Sequence, residues 1–147
     1  MIAIGNDHAA FPEFKKDILA YLDEQGIAYK DFGCYEGEKC DYPDAAKKAC
    51  AAVLSGECDS AILICGTGIG ISMSANKLHG IRAAACSDYF SAKYTRLHNN
   101  ANALCLGSRV IGSGLACELI DVFLHTSFEG GRHADRVAKI HQLETGC

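Results

Sequence analysis

The sequence predicts an α/β fold: a five-stranded, open parallel sheet with helices on both faces and an extra C-terminal helix. Three observations predict it. Short β-type runs alternate with amphipathic segments along the chain, as successive strand–helix units require. The run SAILICG at 60–66 is apolar almost throughout, as expected of a strand buried on both faces. Polar residues gather where strands end, and open parallel sheets place their ligands outside those ends.

The elements follow in order. IAIG (2–5) reads as the first strand, and Phe11 to Gln25 as a helix with Pro12 in its first turn, where a missing N–H is tolerated. AYKDFG (28–33) is the second strand. YPDAAKKACAAVLSG (42–56) is an alanine-rich helix stopped by Gly56. SAILICG is the third strand and GISMSANKLHG (70–80) a short helix. IRAAAC (81–86), SDYFSAKYTRLHN (87–99), NALCLG (102–107) and GLACELIDVFLHTSF (114–128) continue the alternation. The tail EGGRHADRVAKIHQLETGC has no strand left to serve, and after Gly130 and Gly131 it reads as a helix projecting from the domain. One domain, 1–147, is expected.

Composition narrows the function. Hydrophobic residues make up 49% of the chain and charged residues 22%, the balance of a soluble protein. No apolar run reaches about 18 residues, so no membrane span is expected. The N-terminal stretch lacks a basic segment followed by a long apolar one, so it does not read as a secretory signal and a cytoplasmic protein is expected. A net charge of −4 offers no electrostatic case for nucleic acid or an anionic membrane. A bound anion would therefore need a local cluster of cations.

The nine cysteines, 34, 40, 50, 58, 65, 86, 105, 117 and 147, include no Cys-x-x-Cys pair. The odd number and scattered spacing argue against a disulfide framework and against zinc, so reduced cysteines packed as small hydrophobes are expected.

The central feature is CGTGIG, 65–70, at a strand-to-helix junction. Its glycines miss the dinucleotide spacing Gly-x-Gly-x-x-Gly, because Ile71 or Met73 falls on the last position. No Gly-Lys-Ser/Thr follows, so a P-loop fails too. A cysteine phosphatase loop needs arginine where Ile71 stands, and a thioredoxin pair needs cysteine where Gly68 stands. What survives is a thiol beside a ring of backbone amides. That setting favours thiolate over the ordinary value of about 8.5, and suits a nucleophile or general base next to an oxyanion site. The alternative is a buried cysteine closing an apolar strand.

Other candidates sit at strand ends: Asp7 and His8 after the first, Ser87 and Asp88 after the fourth, Gly107 to Arg109 after the fifth. Asp7 is equally readable as a helix cap, and His8 as a turn residue. His98, near a helix C-terminus, reads either as an acid/base group or as a histidine favoured there by the helix dipole. Arg132 and Arg136, four apart, share a helix face that suits a small dianion or simply faces solvent. Their place in the tail raises the further reading that it reaches over a second subunit.

Taken together, DHA near the start, DYPD at 41–44, ILICGTGIGISMSANK, GIRAA, RLHNNAN, LGSRVIG and FEGGRHADRV resemble the sugar-phosphate isomerases of the ribose-5-phosphate isomerase B type, a family that includes galactose-6-phosphate isomerase. The motifs occur in family order over most of the chain. The resemblance implies a Rossmann-like three-layer sandwich without bound nucleotide. It implies a homodimer, in some members paired into a tetramer, with active sites shared across the interface. It implies metal-free, cofactor-free interconversion of ribose 5-phosphate and ribulose 5-phosphate through an enediolate, or the same chemistry on a four- or six-carbon sugar phosphate. In that scheme Cys65 is the base, and Thr67 with the amides of Gly66, Gly68, Ile69 and Gly70 holds substrate and oxyanion. His98 assists ring opening, with Asp7 near the ring oxygen. His8, Arg109, Arg132 and Arg136 gather the phosphate, and Tyr42 and Asn99 contact the sugar. A sugar-phosphate binding module without catalysis is the competing reading. Asn6 and Ala10 stand where many members carry smaller residues, and on the family pattern they flank the substrate and bear on sugar preference.

Overall fold

The computed structural model describes residues 1–146. Five strands, β1 Ile2–Asn6, β2 Tyr29–Asp31, β3 Ser60–Cys65, β4 Ala83–Ala85 and β5 Ala103–Gly107, form one sheet in the order β2-β1-β3-β5-β4. Every pairing is parallel. The helices are α1 Glu13–Glu24, α2 Tyr42–Leu54, α3 Ile69–Ala75, α4 Tyr89–Asn99, α5 Ser113–His125 and α6 Arg132–Gln142. One-turn 3₁₀ helices cover His8–Ala10 and Leu143–Thr145. The expected α/β fold with a five-stranded parallel sheet is therefore present.

Strand alternation divides the interior into two layers of different grain. Ile2, Ile4, Ile62, Ile64, Leu104 and Leu106 point to one face, where they meet Ile18 and Leu22 of α1, Ala92 of α4, and Leu119, Ile120 and Phe123 of α5. Each fully buried Leu or Ile here contributes about 1.5–3 kcal/mol. Ala3, Ala61, Leu63, Cys65, Ala103 and Cys105 point to the other face. Against these small residues α2 lays Ala45, Ala46, Ala49 and Cys50. The approach is so close that a Cβ on Gly5 would lie 2.9 Å from that of Ala49. This tight layer fixes where the N-terminus of α2, and with it Tyr42, stands over the sheet.

Boundaries differ from expectation where local hydrogen bonds intervene. Pro12 precedes α1 instead of lying in its first turn. The helix expected over 70–80 ends at Ala75, because the Asn76 side chain pairs with both the N–H and the C=O of Ala83, at 2.8 Å each, and turns the chain into β4. The tail forms the expected extra helix, but it is docked and not projecting. His133 and Val137 of α6 are buried, α6 packs on α4, and Glu144 accepts from the Gly80 amide at 2.8 Å. No helix of the described residues is long and apolar enough to cross a membrane.

The expectation of reduced cysteines fails at one pair. Cys34 and Cys40 form a disulfide, their Cα atoms 5.9 Å apart across the loop after β2. A search for adjacent motifs misses such a pair, because a turn of the loop and not a short spacing brings the two together. Cys50, Cys58, Cys86 and Cys105 are buried free thiols, as expected of small hydrophobes. Burial pushes the Cys50 thiol up to about 12 and Cys86 up to about 11, which removes them as nucleophiles at neutral pH. Cys147 lies outside the described residues.

Candidate active site

The strand order reverses direction at β1, whose neighbours are β2 on one side and β3 on the other. A crevice opens outside the carboxyl ends at such a point. There a cleft of about 370 Å³ is lined by Asp7, His8, Ala9, Tyr42, Cys65, Gly66, Thr67, Ile69, Gly70 and Arg109. Nine of these ten were singled out by sequence, Ala9 being the exception. Ser87 and Asp88 are not among them. Asp88 instead caps α4 by accepting from the Ser91 amide at 2.8 Å.

Backbone bonds continue the sheet ladder past the strand ends and hold the cleft floor. The Asp7 amide donates to Ile64 O at 3.1 Å, Ser108 to Cys65 O at 2.9 Å, and Arg109 to Gly66 O at 3.0 Å. The Ser108 hydroxyl adds a bond to Ala9 O at 2.7 Å, tying the turn after β1 to the one after β5. Sequence placed Ser108 at this strand end without giving it a role.

Cys65 ends β3 with its side chain in the alanine-lined layer and its sulfur at the cleft. The Gly68 amide donates to Sγ at 3.2 Å, a bond that strengthens when sulfur carries charge. Gly68 has φ +77°, and a Cβ there would come within 3.1 Å of the Leu106 carbonyl carbon, so glycine is required twice over. A Cβ on Gly107 would lie 2.6 Å from the Thr67 backbone, so the loop rests directly on the end of β5. The Ile69 amide is taken by Thr67 Oγ1 at 3.3 Å. Two of the expected ring of amides are thus engaged inside the loop, one of them by the thiol itself.

The side chains around the thiol close in from three elements. Arg109 extends over Gly66, its guanidinium carbon 3.7 Å from where a Cβ would sit. The Tyr42 ring covers Gly70, where a Cβ would be 2.8 Å away. Asp7 is both cap and cleft residue: buried, it accepts from the Ala9 amide at 2.8 Å while lining the cleft. His8 Nδ1 lies 3.0 Å from Cys40 O. A carbonyl only accepts, so Nδ1 carries the proton and Nε2 is left for another partner.

His98, Asn99, Arg132 and Arg136 are not brought to this cleft. Helix α4 runs back from the carboxyl edge to the start of β5, so His98 and Asn99 sit at the amino edge of the sheet. The length of β5 separates the two edges, roughly 13 Å at 3.3 Å per residue. At that far edge the His98 ring stacks on His133 with centroids 4.0 Å apart and planes at 9°. Tyr94 meets His98 edge-on at 4.8 Å. Glu129 Oε2 lies 3.7 Å from Nε2 of both histidines. His133 is 4% exposed, and its Nε2 has no hydrogen-bond partner. Burial first, and then His98, lower its pKa below 6.5. Arg132 and Arg136 are exposed on α6 beside this stack. Neither His133 nor Glu129 received a role from sequence, because their proximity to His98 depends on how α6 docks.

His98, Glu129 and His133 offer three ligand atoms within 4.8 Å of one another. The parallel rings, however, point their in-plane lone pairs side by side and not toward one ion, which a bond of about 2.0 Å to each nitrogen would require. Cys34, Glu38 and Cys40 form a second such group, but its two sulfurs are bonded to each other.

Asn6 and Ala10 also fall away from the cleft. Ala10 is fully buried in the core, and the buried Asn6 side chain donates to Cys34 O at 3.3 Å and Asp7 O at 3.0 Å. Neither lines the cleft directly; they flank its lining residues Asp7 and Ala9 in the chain.

Residues 2–140 match the model of the family described as Ribose/Galactose Isomerase. The chain belongs to that family. Among its relatives, ribose-5-phosphate isomerase B of Escherichia coli is 48% identical over 143 residues, covering 97% of this chain and 95% of the relative. The D-erythrulose-4-phosphate isomerase of Pectobacterium atrosepticum is 46% identical, covering 97% and 94%. The solved structure of Clostridium thermocellum ribose-5-phosphate isomerase B superposes with a TM-score of 0.94 at 49% identity, over 98% of this chain and 97% of that one.

Proposed function

We infer that this family member is an aldose–ketose isomerase that interconverts ribose 5-phosphate and ribulose 5-phosphate, with Cys65 as the base. The observation that carries the role of Cys65 is its placement. It is the cysteine at the mouth of the cleft, with an amide aimed at its sulfur, whereas Cys50, Cys86 and Cys105 are sealed in the core. In the open-chain aldose, the thiolate takes the proton from C2. The resulting enediolate places negative charge on O1, where loop amides and Thr67 stabilise it; the O2 hydroxyl proton passes to O1, and the proton held by the thiol returns to C1, leaving the carbonyl on C2. Arg109 supplies a cation and His8 a hydrogen-bonding imidazole within the same cleft. The phosphate serves as a remote handle whose binding energy orients the reacting carbons.

The groups assigned to ring opening and to the rest of the phosphate lie at the opposite sheet edge of the same chain. A second copy that presents its His98, Asn99, Arg132 and Arg136 to this cleft completes the site, so the working unit we propose is a homodimer with shared sites. Exposed Ile69 and Met73 on α3, beside the cleft, give such a copy an apolar surface to cover.

Mixing two inactive variants tests both assignments. Cys65→Ala and His98→Asn chains, unfolded and refolded together, form mixed dimers in which one site is intact and the other doubly defective. Activity should return to about one quarter of wild type, the statistical limit for random pairing in a closed dimer. Failure to recover, with mixed dimers demonstrated, would place His98 outside the shared site. Four-carbon and six-carbon aldose phosphates assayed side by side with ribose 5-phosphate test the substrate.

A further inference from the structure

We propose that the Cys34–Cys40 disulfide is a thiol–disulfide exchange site that governs how firmly the cleft holds His8, and through it the sugar phosphate. The proposal rests on the reading of His8 as a substrate-binding residue. The two half-cystines are anchored unequally. Cys34 is built into the body of the protein: its amide donates to Asn6 O at 2.9 Å, and its carbonyl accepts from Lys15 Nζ at 3.0 Å and from Asn6 Nδ2. Lys15 is itself 3% exposed and paired with Asp31 at 2.7 Å. Residues 35–39 between the cysteines are all exposed. Cys40 is therefore held on one side by its sulfur and on the other by the start of α2, and its carbonyl is the group that accepts from His8 Nδ1. Two residues further on, Tyr42 opens α2 and covers Gly70. One bond thus connects a solvent-facing loop to two residues of the cleft.

The exchange chemistry is balanced by a dithiol. Its thiolate attacks the more accessible Cys40 sulfur and Cys34 leaves as a thiolate. The second thiol of the reductant then resolves the mixed disulfide, so two electrons and two protons pass to the protein and the dithiol becomes a disulfide. The loop closed by the bond is short, so little unfolded-state entropy is at stake and the fold persists when the bond is cut. What changes is the freedom of the Cys40 carbonyl. When that carbonyl moves, His8 loses the acceptor that fixes its proton on Nδ1 and leaves Nε2 available to a ligand.

Steady-state kinetics with ribose 5-phosphate test this. The measurement compares the protein with the bond mapped intact by mass spectrometry, the same protein after dithiothreitol, and the C34S/C40S double variant with and without dithiothreitol. Reduction should raise KM about three- to tenfold, the effect of losing one orienting hydrogen bond, while kcat changes less than twofold. C34S/C40S should show the raised KM and no response to reductant, which separates this pair from any effect on Cys65. His8→Ala should raise KM and abolish the response. An unchanged KM after verified reduction overturns the coupling even if His8→Ala raises KM. A wild-type KM in His8→Ala removes instead the reading of His8 on which the coupling rests. Free thiols at both positions in the air-oxidised protein overturn the proposal outright.

Discussion

The cleft around Cys65 and the cluster around His98 occupy opposite edges of one sheet, and they are built by different means. The cleft is backbone architecture: the strand ladder runs on through Asp7, Ser108 and Arg109, and Gly68 and Gly107 leave space that a methyl group would fill. The cluster is side-chain architecture, two stacked imidazoles and a carboxylate held where α6 docks on α4. The first is enclosed by its own chain. The second presents exposed arginines on α6, at the sheet edge opposite the thiol. On the shared-site reading proposed above, each is half of a site, and the half with rigid walls carries the step most sensitive to geometry.

The largest expected effect tests that division directly. Cys65→Ala should lower kcat by about 10³-fold, within the range for losing a positioned base, while inhibition by inorganic phosphate changes less than twofold. Proton exchange at C2, followed in deuterated water, should vanish with it. Exchange at the wild-type rate would move the base away from this edge.

Gly107→Ala should come next. Its methyl would meet the Thr67 backbone at 2.6 Å, displacing the loop and costing about 10–100-fold in kcat/KM with the fold retained. A near-normal kcat/KM would mean that the loop tolerates movement and that the cleft is less rigid than its contacts indicate.

The smallest effect belongs to the histidine edge. The pKa of His133 is lowered from 6.5 in the folded protein, so below that value the unfolded state binds more protons. Its contribution to stability is full above pH 6.5 and declines as pH falls through that value toward the lower folded pKa. Thermal unfolding from pH 7.5 to 5 should show a falling midpoint, and His133→Gln should flatten that slope. An equal slope in the variant would detach His133 from the stack's energetics.

The fold and the cleft were readable in the chain for physical reasons that differ from those governing the remainder. Strand and helix periods, the glycine spacing of 65–70 and the polar strand ends are short-range features, and parallel topology gathers strand ends on one edge. Cys65, Thr67, Asp7, His8 and Arg109 were accessible to that reasoning, and Tyr42 only through the family resemblance. The Asn76 side chain that shortens α3, the burial of Asn6 and Ala10, and the pairing of Cys34 with Cys40 depend on contacts across turns, which periodicity does not encode.

The glycine loop at Cys65 illustrates both levels. Its residue spacing alone excluded nucleotide, phosphatase and dithiol readings, because those chemistries demand particular side chains at particular intervals. That the Gly68 amide turns onto the sulfur, and that His98 stands a full strand away from it, followed only from the folded chain. The second is a distance between segments remote in sequence, set by the order in which the strands pack; the first is a local turn, fixed by how the loop rests on the end of β5.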